Sequence, residues 1–88
     1  MNVLLIYNPF AGNGRAKSLL DPVLDYCKAA GLNVTLRKTE YSGHAVELTA
    51  KADLSHYDAL LASGGDGTLY EVVNGYYLNN SKLKPPIG

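Results

Sequence analysis

Residues 59–68 read Ala59-Leu60-Leu61-Ala62-Ser63-Gly64-Gly65-Asp66-Gly67-Thr68. The apolar run reads as a buried strand that enters a glycine-rich turn, and a helical pattern follows. Glycine lets the backbone reach positive φ and lets a ligand approach main-chain N–H groups with no Cβ between them. A helix N-terminus behind such a turn adds unpaired donors and a partial positive charge, which suits phosphate. Asp66 is the odd member. A carboxylate beside a polyphosphate repels it unless a metal ion or a substrate hydroxyl lies between them. The turn therefore points to phosphate with Mg²⁺, or to phosphate with an acceptor to be deprotonated. Both belong to phosphoryl transfer.

Working outward, Val3 to Tyr7 is a continuous apolar run of the kind covered on both faces in a parallel sheet. Asn8 to Gly14 breaks it into a loop. Leu19, Leu20, Val23, Leu24 and Cys27 then form a helical apolar stripe, with Asp21-Pro22 as a point of restart or kink and Gly31 as a terminator. Leu32 to Lys38 alternates as a second strand, and His44 to Ala52 is a short helix introduced by Ser42-Gly43. Tyr57 to Ala62 is the third strand. In the third helix, Leu69, Val72, Val73, Tyr76 and Tyr77 mark an apolar stripe that packs inward. The spacing of Thr68 and Glu71 also fits a helix capping box. The order β-α-β-α-β-α with short connections predicts a three-layer α/β/α fold on a parallel sheet with right-handed crossovers. Ligands of such sheets bind at the carboxyl ends of the strands. Topology alone brings Asn8 to Gly14, Thr39-Glu40 and Gly64 to Thr68 to that edge.

Eighty-eight residues allow one small domain. Eight basic and eight acidic side chains cancel, which leaves no electrostatic footprint for nucleic acid. The one cysteine, Cys27, reads as a buried reduced thiol. No apolar stretch approaches the ~20 residues of a membrane-spanning helix. The N-terminus lacks the features of a signal peptide, so the expected location is cytoplasmic. Ile87-Gly88 reads as the first step of a further strand, and the expectation is that these residues are the front part of a longer protein.

The first loop fits neither a Walker A pattern, since Ala11 and Ala16 fall at its glycine positions, nor a dinucleotide fingerprint, since Lys17 stands where a glycine is needed. Arg15 and Lys17 follow the loop and are candidates for phosphate contact or for a solvated helix face. His44 reads as a helix N-terminal histidine near the presumed site or as a solvated first-turn side chain, His56 as a surface side chain, and Tyr76 and Tyr77 as helix packing.

Together, Asn8-Pro9-x-x-Gly12, Gly64-Gly65-Asp66-Gly67-Thr68 and Glu71-Val72-Val73-Asn74-Gly75 resemble the diacylglycerol kinase catalytic-domain family, which includes sphingosine and ceramide kinases. The resemblance covers residues 1–88. It implies the front half of a nucleotide-binding domain of the kind shared with NAD kinases, in an ATP- and Mg²⁺-dependent enzyme that phosphorylates a lipid hydroxyl. It also implies that Asn8, Pro9, Phe10, Ala11 and Gly12 line the nucleotide and that Thr39 contacts it. Gly64, Gly65, Gly67, Thr68 and Glu71 would form the phosphate-binding turn and first helical turn. Asp66 would be essential, either as the base that deprotonates the lipid or through magnesium–ATP, and the two roles stay open. A second phosphate-side motif and a β-rich, lipid-binding C-terminal domain would lie beyond Gly88. The 88 residues alone are then expected to be inactive and to self-associate, with the lipid met peripherally at a membrane surface. The alternatives are an NAD kinase-like enzyme for a soluble substrate and a non-catalytic nucleotide-binding module.

Overall fold

The computed structural model describes residues 1–11 and 15–88, apart from the side chains of residues 15–19. Gly12, and the side chains of Arg15, Lys17 and Leu19, therefore lie outside what is described. Three parallel strands, β1 (Asn2–Tyr7), β2 (Asn33–Lys38) and β3 (Ala59–Ser63), lie in the order β2-β1-β3. Helices α1 (Arg15–Ala29), α2 (His44–Lys51) and α3 (Asp66–Leu78) alternate with them. A single 3-10 turn at Leu54–His56 precedes β3, so β3 starts at Ala59 rather than at Tyr57.

β1 is central, and its residues from Val3 to Tyr7 are all buried, as the unbroken apolar run requires. Leu4 and Ile6 join Ala45, Leu54, Leu60 and Val72 in a core beneath α2 and α3. Val3, Leu5 and Tyr7 point to the opposite face. Beyond β3, Ile87 makes a parallel bridge to Leu60. The Leu60 N–H donates to the Pro86 carbonyl at 2.9 Å, and the Gly88 N–H donates to the Leu60 carbonyl at 2.7 Å.

α1 runs through Pro22 without restarting, and Pro22 sits on its exposed side. The missing N–H costs one ladder bond but leaves the core face intact. The helix closes in a Schellman arrangement: the Leu32 N–H donates to the Cys27 carbonyl at 2.9 Å and the Gly31 N–H to the Lys28 carbonyl at 3.1 Å. Cys27 is buried and free of any disulfide.

The inward face of α3 differs from the sequence expectation. Thr68, Val72, Gly75 and the C-cap Asn79 are its buried positions, whereas Leu69 is exposed and Tyr77 is 77% exposed. Tyr76 does pack against the core. The reason is a close helix crossing. A Cβ on Gly75 would lie 2.6 Å from both the Thr49 Cβ and the Val46 carbonyl oxygen, so only glycine lets α3 approach α2 this closely. Asn79 then ties the two helix ends together. Its amide nitrogen donates to the carbonyls of Thr49 at 2.8 Å, Ala50 at 3.1 Å and Ala52 at 2.7 Å, and its Oδ1 accepts the Ser81 N–H at 2.8 Å. These are the carbonyls that the end of α2 would otherwise leave unpaired.

Replacing Asn79 by alanine orphans those carbonyls in a buried place. The expected cost is about 1–3 kcal/mol of folding stability, read as a lower urea midpoint at unchanged slope.

Candidate functional site

The strand order places the site. With β2 and β3 on opposite sides of β1, the chain reverses direction at β1, and the crevice at the carboxyl ends of β1 and β3 is the switch point where ligands of α/β sheets bind. The loops after these two strands meet there. The Asn8 N–H donates to the Ser63 carbonyl at 2.9 Å, which extends the β1–β3 pairing into the turn. The Asn8 Oδ1 accepts the Phe10 N–H at 3.0 Å and folds the first loop back on itself.

Gly64 is where the loops touch. Its φ is +148°, and a Cβ there would stand 2.6 Å from the Thr68 Oγ1 and 2.9 Å from the Asn8 Cβ. Gly65, at φ +104°, is the N-cap of α3, and no side chain caps the helix. Asp66, Gly67 and Thr68 therefore form the first turn, and their N–H groups lack partners within the helix. This corrects the capping-box reading: Thr68 lies inside the first turn and Glu71 one turn later, so the pair does not cap the helix.

A cavity of about 250 Å³ opens beside this junction, lined by Asn8, Phe10, Thr39, Tyr41, Ser42, Ala45, Thr68 and Glu71. Of the residues expected from the sequence, Asn8, Phe10, Thr39, Thr68 and Glu71 are thus brought to one cavity. Thr39 and Thr68 are buried, and the Thr39 N–H donates to the Tyr7 carbonyl at 2.8 Å. Pro9 and Ala11 sit in the first loop outside the lining; Gly64, Gly65, Asp66 and Gly67 are outside the lining as well, the last three exposed. Sequence reasoning missed Tyr41 and Ser42, which the β2–α2 connection carries to the same cavity, and Ala45 in the first turn of α2. The only signal was their place next to Thr39. A larger groove, of about 450 Å³, lies between β2 and α2 and shares none of these lining residues. His56 borders it, exposed and 2.9 Å from the Asp53 carboxylate.

Tyr41 has its own support. Its hydroxyl donates to the Glu47 carboxylate, and its ring stacks on His44 with centroids 4.3 Å apart. The Glu47 hydrogen bond, followed by desolvation and the charges of Glu47 and Glu40, raises the phenol above its ordinary 10.0.

No group of three or more His, Cys, Asp or Glu side chains among the described residues is placed to hold a metal alone. Asp66 is a single exposed carboxylate beside unpaired N–H donors. That donor set fits Mg²⁺ carried on a nucleotide, which needs only one or two carboxylates in addition to phosphate oxygens.

Fold and site together define an α/β protein with a cavity at its strand ends, beside a glycine turn and a helix N-terminus. The family profile described as the diacylglycerol kinase catalytic domain matches residues 2–88. Sphingoid long chain base kinase 5 of Saccharomyces cerevisiae is 33% identical over 84 residues, covering 94% of this chain and 12% of that protein. A diacylglycerol kinase of Staphylococcus saprophyticus is 42% identical over 71 residues, covering 81% of this chain and 23% of that protein. The solved structure of a diacylglycerol kinase from Bacillus anthracis str. Sterne superposes with a TM-score of 0.71 at 31% identity, covering 98% of this chain and 30% of that one. The chain belongs to the diacylglycerol kinase catalytic-domain family, and it spans less than a third of each of these relatives.

Alanine at Gly64 should cost more than alanine at Gly65, because it adds a steric clash to the backbone strain the two share. The expected difference is roughly 1–3 kcal/mol, measured as urea midpoints of the two variants. The Tyr41 phenol gives a pH prediction. A raised folded value means that the Glu47 bond contributes fully below the ordinary phenol value and is lost as pH climbs through the folded one. In Glu47→Gln the ionisation of Tyr41 should move back down, as followed by tyrosinate absorbance.

Proposed function

We propose that the protein carrying this chain is an ATP- and Mg²⁺-dependent lipid kinase that transfers the γ-phosphate to a lipid hydroxyl of the diacylglycerol, sphingosine or ceramide type. The observation that carries the reading is the junction of Asn8, Gly64 and Thr68, where a turn without side chains meets a helix N-terminus at the switch point. Family membership supports it, and so do the names of the relatives. The activity is assigned to the whole protein, the 88 residues being inactive alone in this reading.

ATP supplies the phosphoryl group, and its Mg²⁺ neutralises charge on the phosphates. The residues of this chain bind and orient. The N–H groups of Asp66, Gly67 and Thr68 face the place where phosphate oxygens would lie, with the helix dipole behind them. Gly64 and Gly65 keep that approach clear. Asn8, Phe10, Thr39 and Glu71 shape the nucleotide cavity, with Pro9 and Ala11 in the first loop. Asp66, exposed in the first turn of α3, either takes the proton of the acceptor hydroxyl on a carboxylate oxygen or holds the metal-bound phosphates. Most of the catalysis is then positioning and charge stabilisation. Among the described residues no helix is long and apolar enough to cross a membrane. We place the enzyme in the cytoplasm, meeting its lipid peripherally, and the exposed Tyr70, Tyr77, Leu78 and Leu83 support self-association of the isolated chain.

Asp66→Asn in the whole protein should lower lipid phosphorylation by a factor of at least about 100 while the thermal midpoint is kept, since the side chain is exposed. Turnover at the wild-type rate would remove Asp66 from the mechanism.

A further inference from the structure

We propose that His44 is a positioning residue that holds the β2–α2 connection in the shape the nucleotide cavity requires. The inference rests on the nucleotide reading of that cavity and adds to it a residue that does not line it.

His44 opens α2 and grips the preceding loop twice. Its Nδ1 accepts the Glu40 N–H at 2.9 Å, and its ring lies against the Tyr41 ring at 4.3 Å with 15° between the planes. Its own N–H donates to the Tyr41 carbonyl at 3.1 Å, which closes the turn. One turn along α2, Glu47 accepts the Tyr41 hydroxyl. The segment held in this way, Thr39 to Ser42, supplies three of the eight residues around the cavity: Thr39, Tyr41 and Ser42. Thr39 is fixed separately through the Tyr7 carbonyl. Beyond Thr39, the main-chain path depends on His44.

The bond also fixes the state of the imidazole. An Nδ1 that accepts carries no proton, so the neutral ring has its hydrogen on Nε2. A side chain can replace His44 only if it presents an acceptor at the place of Nδ1. Asparagine does so, because its amide group falls at that position. Glutamine places its amide one bond further out, near Nε2, and leaves the Glu40 N–H without a partner.

The test compares wild type, His44→Asn and His44→Gln in the whole protein. The readouts are ATP affinity by calorimetry, the KM for ATP and kcat, and hydrogen exchange at the Glu40 amide. For His44→Gln the account predicts a KM and Kd for ATP raised roughly 3–10-fold, kcat nearly unchanged and faster exchange at Glu40. In His44→Asn both the affinity and the exchange protection should return close to wild type. If both variants bind ATP as wild type does, or if both weaken alike in step with a lower thermal midpoint, the positioning role is wrong. If the wild type binds no ATP, the nucleotide reading fails on its own. The hold on the loop is then decided by the Glu40 amide, and an unprotected amide in the wild type overturns it.

Discussion

The absence of a side chain at Gly64 is the constraint on which the site depends. Two separate pieces of chain press on this point, the end of β1 through Asn8 and the first turn of α3 through Thr68, while the Asn8 N–H bonds the Ser63 carbonyl just ahead of it. A methyl group there would have to displace one of them, and each is anchored in something rigid. Asn8 follows a strand buried on both faces, and Thr68 belongs to a helix locked against α2 by Gly75 and Asn79. The N–H groups at the head of α3, which lack partners within the helix, are therefore held in place by the core itself, as any site that acts by positioning requires.

The same logic separates the stabilising residues from those with a chemical part. α2 and α3 are joined by buried contacts far from the strand ends: the Gly75 crossing and the Asn79 cap. Near the strand ends, side chains are left open to solvent, with Phe10 74% and Tyr41 56% exposed around the cavity. Large aromatic surface is left uncovered here, beside a polar turn, where a ligand can cover it.

Much of this arrangement was legible in the chain. The run from Val3 to Tyr7 demanded a doubly covered strand, the alternation of strands and helices demanded parallel pairing, and parallel pairing forced the three loops to one edge. What was illegible depended on contacts between distant residues. The stripe through Leu69 and Tyr77 looked inward by its spacing, yet those two are exposed, and Thr68, Gly75 and Asn79 are buried along with Val72; apolar spacing cannot register a helix that packs through a glycine. Thr68 and Glu71 matched a capping box because the motif ignores where the helix begins, and a turn with two consecutive positive-φ glycines moved that start to Asp66. His44 could be read as a solvated side chain because its partner, a main-chain N–H four residues back, leaves no trace in residue types. Tyr41 was overlooked because its partners, the Glu47 carboxylate and the His44 ring, reach it only once α2 folds back beside the loop.

The most direct test of the account is phosphoryl transfer from labelled ATP by the whole protein in the presence of Mg²⁺, with diacylglycerol, sphingosine, ceramide and NAD offered as separate acceptors. The account predicts label in a lipid and none in NAD. Label in NAD alone, or in no acceptor of a widened lipid panel although ATP is bound, would contradict it.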